Sequence, residues 1–308
     1  MQRRPTKKSA WVTFKKNKEL LLLCVPALLA FLVFAYLPMP GIYMAFTDYK
    51  YTGGIFGSEF VGFKWFEMFL ANDLNRLMRN TVAYSIAGIV LGPVTGVFTA
   101  LLLYELKNAH AAKAYQTIMI LPYFMSWIVV SLILYIFLDP RFGAINQTLL
   151  RFGFNDIYWY SEPKYWPFIL IFMGIWKGVG MGCIVYYAAM MGIDPSLYEA
   201  ATIDGAGKIA RIRFITLPGL IPLITIMTIL SMGSVFRGDF GMFFALPRNV
   251  GMLYPTTDIL DTFIFRGLQN GRLSFTTAVG VFQSFLGLIM IVITNLIVKK
   301  INPDNSLF

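Results

Sequence analysis

The stretch GIDPSLYEAATIDGAGK, residues 192–208, lies between two long apolar runs, 167–191 before it and 216–236 after it. Neither run carries more than one charge, and each is long enough to cross a hydrocarbon core about 30 Å thick as a helix. The polar stretch between them has the marks of a short helix. Asp194 is placed to cap it, Pro195 suits its first turn, and Gly205 suits the left-handed residue that ends it. Along that helix Leu197, Ala200 and Ala201 fall at i, i+3 and i+4, a small apolar face, with Glu199 beside them as a charged handle. A second segment follows, with Ile209 and Ile212 apolar and Lys208, Arg211 and Arg213 polar, before Leu217-Pro218 opens the next run. The expectation is a helix, turn, helix plug for the groove of a soluble partner, with an interfacial loop on lipid headgroups as the alternative.

Four further apolar runs, 20–46, 81–104, 115–138 and 277–298, make six candidate spans, so the fold expected is an all-α polytopic membrane protein. Of the 308 residues 57% are hydrophobic and only 14% charged, against roughly 25% charged in soluble domains, which excludes an ordinary soluble protein. The net charge of +10 is read as topology, with no nucleic acid implied. Lys and Arg are denser in the tail 1–19, the turn 105–114, the loop 192–215 and the end 299–308 than in the three opposite loops. Both termini are therefore expected in the cytoplasm, with the membrane domain covering 20–298. The first run is too long for a signal peptide and is expected to be retained.

Catalytic chemistry has little material here. Cys24 and Cys183 sit inside apolar runs, and the one histidine, His110, lies in a short polar turn. No metal set and no nucleophile–base set is evident. Gly205-Ala-Gly-Lys208 echoes a phosphate-binding loop, but Thr202 stands where glycine is needed and Ile209 where Ser or Thr is needed. Any ATP must be hydrolysed elsewhere. Lys177 falls near the middle of the fourth run, where a charge marks a pathway, a water-filled cavity or a pair. Trp176, Trp127 and Tyr123 are candidates to stack on a sugar or to anchor at the membrane interface, and Gln283, ranked above Asn295, to bond sugar hydroxyls or a neighbouring helix.

Glu199-Ala200-Ala201, Asp204-Gly205-Ala206, Ile215-Thr216-Leu217-Pro218 and Pro222 resemble the EAA signature of permeases from type I ABC importers. Ile212 stands where that family often has an aromatic. Leu37-Pro38 through Asp48-Tyr49, Gly62 to Phe66, and Ile175-Trp176-Lys177-Gly178 to Tyr186 are similar to carbohydrate-uptake permeases. Asp258 to Asp261, Thr262, Phe265-Arg266 and Ala278 to Ser284 look most like the polysaccharide or oligosaccharide branch. The resemblance implies the type I importer permease fold, with the cytoplasmic loop 192–215 as a coupling helix seated on an ATP-binding subunit. Glu199, Ala200, Ala201, Asp204 and Gly205, with Leu197 and Tyr198 beside them, would carry that coupling. It implies no cofactor on this chain, with ATP and Mg on partner subunits. The implied partners are a second homologous permease, two ATP-binding subunits, an extracytoplasmic solute-binding protein and an oligosaccharide moved by alternating access. An ion-coupled secondary transporter of a small polar solute is the alternative, and it would call for more ionisable residues within the spans than Lys177 alone.

Overall fold

The computed structural model describes residues 18–106 and 108–301; the remainder of the two expected tails, 1–17 and 302–308, lies outside the described residues. The chain is helical almost throughout, the one strand pair described being a short antiparallel ladder of β1 (Thr47–Asp48) on β2 (Glu59–Phe60). Five helical stretches are long and apolar enough to cross a membrane, or six if a pair bent by 99° counts as one.

The first run does not form a single regular helix. An α-helix, α1 (Lys18–Phe31), passes into a π turn over Leu32–Tyr36, breaks at Leu37-Pro38 and resumes as a 3-10 segment, Met39–Phe46. Pro38 and Pro40 lack the N–H groups that would continue the α ladder. The second, α3 (Leu74–Tyr104), follows the short α2 (Lys64–Asn72) and begins well before residue 81. Its polar start is tied down from outside the helix: Asn80 Nδ2 donates to the carbonyls of Pro255 and Asp258, and Arg79 to Pro255.

The run 115–138, expected as one span, is two helices, α4 (Ala109–Phe124) and α5 (Trp127–Leu138), meeting at 99°. Met125 and Ser126 are extended, and the Ser126 hydroxyl accepts from the Val129 amide to start the second piece. Pro122 weakens the end of the first piece, and Ser126 makes a ready N-cap for the next. The length and hydropathy of the run do not by themselves reveal the break. After α6 (Ala144–Arg151), the fourth span α7 (Trp166–Met191) runs unbroken into the loop.

In that loop α8 (Pro195–Ile203) forms as expected, while α9 (Lys208–Arg211) does not stand as a separate piece. It continues through a π turn, Ile212–Thr216, into α10 (Leu217–Met232). Residues 208–215 are thus the first turns of the fifth span, which ends at Met232 rather than at 236. Beyond it come α11 (Phe240–Ala245), α12 (Tyr254–Thr257), α13 (Leu260–Gln269) and the last span, α14 (Leu273–Ile301), which starts four positions earlier than expected.

Three buried clusters hold the bundle, one of them, Phe69, Leu77, Leu260, Phe275 and Val279, joining α2, α3, α13 and α14. Val97, Ala100, Cys183, Tyr186, Met190 and Leu220 join α3, α7 and α10. Val130, Leu134, Trp166, Leu170, Met242 and Leu253 join α5 and α7 to the segments after α10. Helices α3 and α7 cross at glycines: a Cβ on Gly182 would stand 3.8 Å from the Gly96 Cα, so the backbones themselves meet.

Candidate functional site

The chain brings functional candidates together in two places, the 192–215 loop at one end of the bundle and the break in the third span, and a cavity lies inside the bundle.

At the loop, Asp194 Oδ1 accepts from the Ser196 amide at 2.9 Å, and this bond holds its carboxyl below the ordinary carboxylate range. Pro195 occupies the first turn, where its missing N–H costs nothing. At the other end Gly205 adopts φ +78°, and the Ala206 amide closes back on the Ala201 carbonyl at 2.8 Å. Leu197, Glu199, Ala200, Asp204 and Gly205 are exposed, whereas Ala201 is half-buried. Glu199 makes no ion pair among the described residues. Tyr198 points the other way, its hydroxyl 2.9 Å from Thr216 Oγ1 and its ring 6.2 Å from that of Tyr104. The most exposed apolar side chains of this end are Ile203, outside the expected set, at 87% and Ile209, of the expected second segment, at 81%. A β-branched residue so open in the last turn of a capped helix is the signal that sequence reading passed over.

The cavity, about 420 Å³, lies between α3, α7, α10 and the segment 237–243. Tyr84, Tyr186 and Phe243 give it aromatic walls; Thr81, Ser85 and Ser231 give it hydroxyls; Arg237 and Asp239 are its charged residues. Room is made by glycines at four-residue spacing, Gly88 and Gly92 on one wall and Gly174, Gly178 and Gly182 on the other. That spacing is visible in the sequence and could have located the cavity.

None of Lys177, Trp176, Gln283, Tyr123 and Trp127 lines it. Lys177, Tyr123 and Trp127 do converge, at the break in the third span. Ending α4 at Phe124 leaves the Tyr123 carbonyl without a helical partner, and Lys177 Nζ donates to it at 2.8 Å. The same ammonium lies 5.3 Å from the Tyr123 ring centroid and 5.1 Å from that of Trp127. Trp127 Nε1 in turn donates to Asp239 Oδ2 at 2.6 Å, and Asp239 Oδ1 caps α11 through the Met242 amide. The break is therefore connected to the cavity rim through Asp239. Trp176 packs against the cluster of α5 and α7. Gln283 is buried and donates to the Phe236 carbonyl at 2.7 Å and to Asp261 Oδ1 at 3.2 Å. Asn295 is buried as well.

Residues 92–305 match the family described as the binding-protein-dependent transport system inner membrane component. The chain belongs to this family. It is a multi-pass inner-membrane permease of a carbohydrate ABC importer, a transport subunit and not an enzyme. The permease is 35% identical over 298 residues to protein LplB of Bacillus subtilis (strain 168), covering 96% of this chain and 93% of the relative. It is 34% identical over 291 residues to the polygalacturonan/rhamnogalacturonan transport system permease protein YteP of the same organism, covering 94% and 90%. Its fold is similar to a chain in the crystal structure of a bacterial alginate ABC transporter in complex with an alginate pentasaccharide-bound periplasmic protein. That match has a TM-score of 0.85 and 31% identity over 96% of the permease and 98% of the other chain.

Proposed function

We propose that this permease carries an oligosaccharide into the cytoplasm by alternating access, driven through the 192–215 loop by ATP-binding subunits that hold the ATP and Mg. The observation that carries the reading is α8: a helix capped at both ends, with Glu199 unpaired among the described residues and an exposed apolar surface from Leu197 to Ile209. A surface of that kind suits a groove on a soluble partner. With the loop on the cytoplasmic side both termini are cytoplasmic, in keeping with the density of Lys and Arg there. Leu197, Glu199, Ala200, Ala201, Asp204 and Gly205 would seat the helix, and Tyr198 would hold it to the bundle.

An oligosaccharide fits the cavity's chemistry, since sugar rings present apolar faces to aromatics and hydroxyls to Ser, Thr and charged groups. The polygalacturonan, rhamnogalacturonan and alginate systems among the relatives support a polysaccharide-derived cargo. The alginate transporter's complex with its periplasmic protein likewise supports delivery by an extracytoplasmic binding protein. A second homologous permease would complete the pathway, and the bare first span supports that pairing.

The test is purification of the tagged permease with its co-expressed partners, followed by ATP hydrolysis in nanodiscs with and without sugar-loaded binding protein. Hydrolysis should rise with the loaded protein. Glu199→Arg and Gly205→Val should abolish that rise while membrane insertion persists; normal uptake by both variants would overturn the coupling role.

A further inference from the structure

The 192–215 loop touches more than the two spans it joins. Lys208 Nζ lies 2.8 Å from Glu105 Oε2, and Glu105 is the residue that closes α3. Next to it the Tyr104 ring packs against that of Tyr198 in α8. Arg211 donates to Thr202 Oγ1 at 3.1 Å, so the two halves of the loop are also tied to each other. Helix α3 is remote from the loop in sequence, yet it supplies one wall of the central cavity through Thr81, Ser85, Gly88 and Gly92. Beneath the loop the joint is not filled with apolar side chains. A second cavity of about 310 Å³ lies there, lined by Tyr104, Glu105, Tyr198, Glu199, Arg211 and Thr216 among others. The ion pair and the ring contact therefore link the loop to α3 directly, beside the packing of α7 and α10 against it.

We propose that Glu105 and Lys208, with the Tyr104–Tyr198 contact, form a latch by which the loop moves the second span as well as the fourth and fifth. This rests on the coupling reading given above. Both are positioning residues: neither lines the central cavity, and each acts through the helix it terminates or begins. The two side chains are 39% and 67% exposed, so the pair adds little to folding, and its loss is read in coupling rather than in stability.

The experiment compares Glu105→Lys, Lys208→Glu and the double swap in the assembled complex in proteoliposomes, scoring ATP hydrolysed per sugar imported. Co-purification of the ATP-binding subunit is scored alongside. Each single reversal should raise the ATP used per sugar by roughly two- to fivefold with the complex intact. The swap should return it close to the wild-type ratio. Single variants that match wild type, or a swap as poor as the singles, would overturn the latch. A wild-type complex with no sugar-stimulated hydrolysis would remove the transport reading itself and the latch with it.

Discussion

Lys177 is half-buried and Asp258 closed off from solvent, and the two charges are met differently. Lys177 uses a carbonyl freed by a break in another helix together with two aromatic faces. Replacing it, as in Lys177→Met, leaves the Tyr123 carbonyl unpaired and should cost about 1–3 kcal/mol. Thermal unfolding in nanodiscs should show a lower midpoint; an unchanged midpoint with altered sugar selectivity would instead make Lys177 a cargo residue. Asp258 is closed off from solvent and meets Arg266 at 2.6 Å and Arg76 at 3.5 Å, with Thr262 donating at 2.8 Å. Asp258→Asn removes the charge that both guanidinium groups share and should cost about 3–5 kcal/mol, seen as loss of folded protein after detergent extraction. Asp194 gives a pH dependence whose sign is fixed. Because donation from Ser196 lowers its folded pKa, its stabilisation of α8 is complete above the ordinary carboxylate range and is lost as pH falls through the lowered value. Amide exchange at Ser196, corrected for intrinsic rate, should stay slow at neutral pH and quicken in acid, and Asp194→Asn should remove that dependence.

Among the elements, the contact of α4 with α7 depends on one glycine. A Cβ at Gly180 would lie 2.1 Å from the Met119 carbonyl oxygen and 2.7 Å from the Ile120 nitrogen, backbone atoms that cannot rotate away. Gly180→Ala should therefore push the helices apart at a cost of about 1–3 kcal/mol, measured as a lowered unfolding midpoint. Gly178 is the control: a Cβ there meets nothing within 4 Å and projects where the chain leaves its cavity. Gly178→Ala should leave the midpoint unchanged and reduce transport. The broken third span belongs to this scale too, since a proline near the end of one helix and a serine cap on the next act together to turn the chain by 99°.

For the whole molecule, the first span is the element that this chain leaves bare. None of the apolar window in Leu22–Phe46 is buried, whereas the second, fourth and last spans each bury 22% of theirs. Lipid can cover such a helix, but in the proposed assembly a second permease covers part of it. A photo-crosslinking residue placed at Leu29, which is 56% exposed, should trap a second membrane subunit in the complex. Crosslinks to lipid alone would show that this face meets the bilayer.

The sequence by itself determined the membrane class, the positions of the apolar runs and the capped helix of the 192–215 loop. Each of these depends on residues within one or two turns of each other: run length for a span, Asp194 and Pro195 for a start, Gly205 for an end. The glycine spacing of the cavity walls is local too, but that these faces enclose a cavity is decided by packing. Tertiary structure alone decided the partners of the buried polar groups. Lys177 finds its acceptor 54 positions away, Gln283 finds Phe236 47 positions away, and Asn80 reaches Asp258 across 178. A polar group held out of water must pair with whatever donor or acceptor the packing brings near, and which one that is depends on the path of the entire chain.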